Sequence, residues 1–115
     1  MQRDRLLLAE IIEAAERIVE LTVERTALDF DEDRDRRDAL LWNFTVLGEA
    51  VAQLSEATKA AHPHVGWSNP VRVRNRIVHG YWSVDLDVLV AAARDDLPTL
   101  IGQVHTIEGT APEED

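Results

Sequence analysis

Cysteine is absent from this 115-residue chain, which excludes disulfides, thiol nucleophiles and cysteine-bound zinc outright. Long apolar runs are absent as well. None approaches the roughly 20 residues that span a bilayer, and the opening MQRDRLLLAEII turns acidic before a secretory core could develop. A cytoplasmic location with no membrane contact is therefore expected. Glycine and proline are few, at 5 and 4 residues, so fibrous and low-complexity architectures drop out. Net positive charge is also lacking. The formal charge of −10 argues against a protein that coats nucleic acid nonspecifically, because phosphate binding needs local positive charge. With 45% hydrophobic and 30% charged residues, the length suits a single core, and the chain reads as one globular helical domain.

One stretch departs from the general acidity. Between Glu56 and Asp85 there is no Asp or Glu, yet Lys59, Arg72, Arg74 and Arg76 fall there, together with His62, His64 and His79. Any anion-binding chemistry belongs here. The acidic remainder lies on helix flanks and in the tail GTAPEED, residues 109–115, which is expected to fray and to stand outside a domain of residues 1–108.

Apolar residues recur at three- and four-residue steps in four segments, which predicts an all-α, up-and-down four-helix bundle without strands or internal repeats. The first helix runs from Arg3 to Arg25 on Leu7, Ile11, Ala14, Ile18 and Leu21. The acidic run Asp29-Phe30-Asp31-Glu32-Asp33 then reads as a loop. A second helix, antiparallel to the first, begins near Asp35 on Leu40, Phe44, Leu47, Val51 and Leu54 and continues to Lys59-Ala60-Ala61. Gly48 inside it costs roughly 1 kcal/mol against Ala, which a close backbone approach by a crossing helix or a second subunit would explain. After the loop HPHVGWSNP, a short third helix covers Pro70 to His79, capped by Ser68 or Asn69 and ended by Gly80. The fourth is capped by Ser83 or Asp85 and carries Leu86, Leu89, Ala93, Leu97, Leu100 and Val104, with Pro98 kinking or restarting it.

On the third helix, separations of three, four and seven residues gather Arg72, Asn75, Arg76 and His79 into one polar sector about 100° wide. Arg74 falls instead beside Ile77 and Val78, on the apolar side. A guanidinium there stays charged, so it either snorkels its head into water or meets a carboxylate, a phosphate or a subunit interface; Glu49 is one candidate partner. Read individually, each of the others has a plain structural account. His79 can bond to free carbonyls at the helix end, Tyr81 and Trp82 can anchor a core, and Trp67 can pack under its loop. His62 and His64 read as solvent-facing loop residues, and no metal site or cofactor is expected from them.

Taken together, Arg74-Asn75-Arg76-Ile77-Val78-His79-Gly80-Tyr81 resembles the R-x4-H-x-Y motif of HepT-like toxins in the HEPN superfamily. Trp67 upstream, Val84-Asp85 downstream, Gly48-Glu49-Ala50 and the DLPTL segment extend the resemblance over nearly the whole chain. The resemblance implies a metal-independent endoribonuclease that works as a homodimer, with two copies of the third helix facing a shared cleft. In RNA the neighbouring 2′-hydroxyl is the nucleophile, so the protein supplies a proton shuttle and charge stabilisation. By resemblance His79 is the shuttle, Arg74 stabilises the phosphorane, and Asn75 orients the phosphate or the imidazole. Arg72, Arg76 and Tyr81 contact RNA. The resemblance also implies a minimal nucleotidyltransferase antitoxin as partner, able to place AMP on Tyr81 and so block RNA by charge and bulk.

One geometric difficulty accompanies that assignment, because five residues of α-helix separate Arg74 from His79 by about 140°. Either the two meet across a two-fold axis or the helix unwinds before Gly80. Two other functions fit the same residues. One is a non-catalytic helical dimer that binds a nucleotidyltransferase or a nucleotide. The other is a purely structural bundle in which Arg74 belongs to an internal ion pair.

Overall fold

The computed structural model describes residues 2–110. Two long helices form its frame, α1 (Gln2–Thr22) and α3 (Arg34–Gln53), joined through a short α2 (Ala27–Glu32). A short α4 (Glu56–Ala61) leads to α5 (Ser68–Gly80), a 3-10 turn at Tyr81–Ser83, and the pair α6 (Leu86–Asp95) and α7 (Leu97–Thr110). No strand occurs among the described residues. The fold is thus the expected all-α bundle, with shorter helices inserted at its corners.

The apolar stripes read from the sequence face inward. Ile11 and Ile18 of α1, Leu40, Phe44, Leu47 and Val51 of α3, Leu89 and Ala93 of α6, and Leu100 and Val104 of α7 are all buried in one core. α1 and α3 are antiparallel, since Arg3 at the start of one hydrogen-bonds to Gln53 at the end of the other. α3 also packs extensively on α5, which fixes the motif helix against the frame.

Three boundaries differ from the sequence reading, each for a local reason. α1 stops at Thr22, whose Oγ1 donates back to the Ile18 carbonyl at 3.0 Å, and Glu24 adopts a left-handed φ of 57° that ends the helix. The acidic run after it is a helix and not a loop. Asp29 accepts the Thr26 amide at 2.8 Å, a reciprocal N-terminal cap, and fully buried Phe30 anchors the turn to the core. The second long helix does not reach Ala61. It ends at Gln53, and Ser55 caps α4 by accepting the Thr58 amide at 3.2 Å.

That break is held by Asp4, a buried carboxylate that sequence periodicity did not single out. It accepts hydrogen bonds from the Ser55 amide at 3.1 Å, the Ser55 hydroxyl at 2.6 Å and the Thr58 hydroxyl at 2.5 Å. Burial pushes its pKa up, but the hydrogen bonds from Ser55 and Thr58 outweigh burial and hold it below the usual carboxylate range. A lowered folded pKa stabilises the protein above the unfolded value, and the contribution is lost as pH falls through the folded one. Asp4→Asn is expected to cost about 2 kcal/mol at neutral pH and to flatten the loss of thermal stability on acidification below about pH 4. Identical acid dependence of melting in both proteins would remove Asp4 from this role.

At the other end of the chain Asp85 caps α6 as expected, accepting from the Asp87 and Val88 amides. Of the two expectations for Pro98, a kink or a restart, the restart holds. α6 ends at Asp95, and α7 begins at Leu97 with the proline in its first turn, where no intrahelical amide donor is needed. Gly109 and Thr110 of the acidic tail close α7, and residues 111–115 lie outside the described residues.

Candidate functional site

Helix α5 carries the site. It starts two residues earlier than expected, at Ser68, with Trp67 as its N-cap residue; Ser68 and Asn69 lie within the helix. Trp67 is buried under the preceding loop and its indole N–H donates to the His62 carbonyl at 3.0 Å, as the packing account of that residue requires. α5 stays helical through Gly80, so the alternative in which it unwinds before that residue does not hold.

The continuous helix divides the motif between two faces. Arg72, Asn75, Arg76 and His79 all lie exposed, the polar sector read from the sequence. Among the described residues only Arg72 of these four has a side-chain partner, the Asn69 side-chain carbonyl. No described carboxylate pairs with Arg76 or His79, which leaves a basic stripe on a protein that is otherwise strongly acidic. His62 is partly buried and His64 exposed; their rings meet edge-on at 6.1 Å.

Arg74 lies on the other side, against α3. Its Nη1 pairs with Glu49 Oε2 at 2.5 Å, and its side chain is only 22% exposed. Glu49 Oε1 in turn accepts from Gln53 Nε2 at 2.8 Å, so the carboxylate is shared between two donors. The Arg74 Nε–H is buried with no hydrogen-bond partner among the described residues, an unspent donor beside the pair. Close approach makes the pairing possible. A Cβ added to Gly48 would lie 2.3 Å from Arg74 Cβ and 2.6 Å from the Pro70 carbonyl, which identifies helix crossing as the reason for glycine at this position.

Around this ion pair is an apolar groove lined by Leu7, Trp42, Val46, Ala50 and Val78. Trp42 is 66% exposed and Val78 59%, an uncommon amount of apolar surface to leave in water. Neither residue stood out in the sequence reading. Trp42 could have been found, because it sits two positions after Leu40 and therefore off the stripe of Leu40, Phe44, Leu47 and Val51 that fills the core.

Tyr81 and Trp82 are not core anchors. They are 62% and 77% exposed and pack on each other edge to face, with centroids 5.4 Å apart. The 3-10 turn that carries them comes directly after His79-Gly80 and so lifts two aromatic rings into solvent beside the basic stripe.

The ribonuclease HepT-like family matches residues 11–107, which includes both the Gly48-Glu49 crossing and the whole of α5. The chain belongs to that family. Among relatives of this HepT-like chain is a protein named probable ribonuclease HepT from Thermococcus cleftensis, 33% identical over 100 residues that make up 87% of this chain and 91% of the relative. A candidate RNase of Methanocaldococcus jannaschii is 26% identical over 90% of this chain and 85% of its own length. Another, from Caldanaerobacter subterraneus, is 25% identical over 93% and 96%. No solved structure matches. Among the described residues of the HepT-like chain no group of three or more His, Asp or Glu is placed to hold a metal ion, and no helix is long and apolar enough to cross a membrane.

Proposed function

We propose that this HepT-like protein is a metal-independent endoribonuclease that acts as a homodimer and serves as the toxin of a pair with a minimal nucleotidyltransferase antitoxin. One observation carries the reading. His79 stands exposed on a stripe with Arg72, Asn75 and Arg76, inside the one long stretch of chain without a carboxylate. An unencumbered imidazole next to unpaired cations suits proton transfer on a bound phosphodiester.

In that chemistry the imidazole takes the proton from the 2′-hydroxyl as its oxygen attacks the adjacent phosphorus. The phosphorus–O5′ bond then breaks, O5′ receives the proton, and the products are a 2′,3′-cyclic phosphate and a free 5′-hydroxyl. Arg74 stabilises the doubly charged phosphorane, Asn75 orients phosphate or imidazole through its amide, and Arg72 and Arg76 hold the flanking backbone. Within one chain Arg74 and His79 point about 140° apart along an unbroken helix. A second subunit seated on the apolar groove at Trp42 and Val78 would bring the partner's His79 to Arg74, so the dimer supplies the composite site. Exposed Tyr81 is open to AMP transfer by the antitoxin. The added anion beside His79 would repel RNA.

A second reading draws on the Arg74–Glu49 pair, which fits a purely structural arginine equally well. RNA cleavage in excess EDTA separates the two. Wild-type protein is expected to cut, His79→Ala to lose about 10²- to 10⁴-fold, and Arg74→Ala to lose activity while still folded by circular dichroism. Full cleavage by folded Arg74→Ala with a lowered melting temperature would make that arginine structural, and unchanged cleavage by His79→Ala would refute the assignment.

A further inference from the structure

The exposed Trp82 is unexplained by acid–base chemistry, by phosphate binding or by the groove at Trp42. Leaving a large aromatic ring in water forgoes the stabilisation that burial would give it. Nor is it on a slack loop. Ser83 Oγ donates to the Gly80 carbonyl at 2.9 Å, the Val84 amide donates to the Tyr81 carbonyl, and Val84 and Leu86 pack against the core immediately afterwards. The ring is thus held out by a fixed turn. Its edge-to-face contact with Tyr81, at 76° between planes, occupies at most one face of one ring, so at least one indole face is open.

We propose that Trp82, braced by Tyr81, is a stacking platform for an unpaired nucleobase next to the scissile phosphate, which makes single-stranded RNA the substrate class; this rests on the ribonuclease reading above. Every nucleobase offers a flat π-face that an indole can cover, and such stacking is tolerant of sequence. The charge around the turn favours a nucleic acid over a protein ligand. His79, Arg76 and Arg72 precede Trp82 by three, six and ten residues and share α5, so a strand stacked at its end lays its phosphates along basic side chains that have no carboxylate partner among the described residues. The nearest following carboxylate, Asp85, is taken up capping α6. A protein partner has a better seat at the apolar Trp42–Val78 groove, where the second subunit is placed above. In an A-form duplex each base is stacked between its neighbours and is not available to a protein ring.

Binding decides this in a His79→Ala background, where the RNA stays intact. Fluorescence anisotropy of a short, dye-labelled mixed-sequence RNA strand, free or annealed to its complement, is followed on adding protein. The free strand is expected to bind well above the duplex. Trp82→Leu should weaken strand binding roughly ten- to hundredfold, with Trp82→Phe recovering most of it. Both substitutions are at an exposed position and leave the core untouched. Strand binding by Trp82→Leu equal to that of Trp82→Phe overturns the platform, as does equal affinity for strand and duplex, or no affinity for either. A change in oligomeric mass on Trp82→Leu also overturns it, by making the ring a subunit contact. Because binding is read without turnover, an inactive wild-type enzyme would defeat the ribonuclease reading without silencing this test.

Discussion

Mixing Arg74→Ala protein with His79→Ala protein is expected to restore about a quarter of wild-type RNA cleavage, although each variant alone is silent. The fraction follows from symmetry. Random exchange of subunits makes half the dimers mixed, and each mixed dimer has one site carrying both lesions and one site carrying neither. The physical basis is the continuity of α5. It stays helical from Ser68 to Gly80, so Arg74 and His79 diverge by about 140° along one chain, which favours meeting across a two-fold axis. Arg74 is further committed to the α3 side by Glu49, while His79 is exposed. A site assembled within one chain gives the opposite result, because every chain in the mixture then carries a lesion. The measurement is initial cleavage rate against mixing ratio after subunit exchange, and a flat, silent profile would abolish the composite site.

Gly48→Ala is expected to lower stability by about 2 kcal/mol despite the helical preference of alanine. Two effects oppose each other. Removing glycine from a helix interior gains about 1 kcal/mol, while overpacking a fixed contact costs about 1–3 kcal/mol or more. The contact decides which wins. The added methyl would meet Arg74 Cβ at 2.3 Å and the Pro70 carbonyl at 2.6 Å, and neither atom is the free end of a flexible side chain. α3 and α5 must therefore separate, which disturbs both the core and the Arg74–Glu49 pair. Cleavage should fall along with the melting temperature. Gly102→Ala is the control, since nothing lies within 4 Å of its added methyl, and there the propensity gain should appear as a small rise. A Gly48→Ala protein that melts at or above wild type would show that the helices can part without loss.

Much of the site was legible because α-helical spacing is a local rule. Arg72, Asn75, Arg76 and His79 share a face at three-, four- and seven-residue separations, and they share it in the folded protein. The same rule placed Arg74 against the apolar side and left water, a carboxylate, a phosphate or a subunit interface as what its head could meet. That Glu49 is the partner, 25 positions away, follows only from how closely Gly48 lets α5 approach. Tyr81 and Trp82 show where local reasoning fails. Composition favours burying aromatic rings, but the turn after Gly80 leads out of the core, so these two remain in solvent.

The sequence by itself determined the helical class, the inward stripes, a cap for the last stripe at Ser83 or Asp85 and the single acid-free stretch, because each depends on neighbours within a few turns of chain. Tertiary structure alone decided that an acidic run folds as a helix around Phe30, that Asp4 holds the break at Ser55, and that Trp42 and Val78 flank an exposed groove. These depend on the distance between segments remote in sequence. Hydrophobic periodicity says which side of a helix is buried, but only packing determines what it meets there.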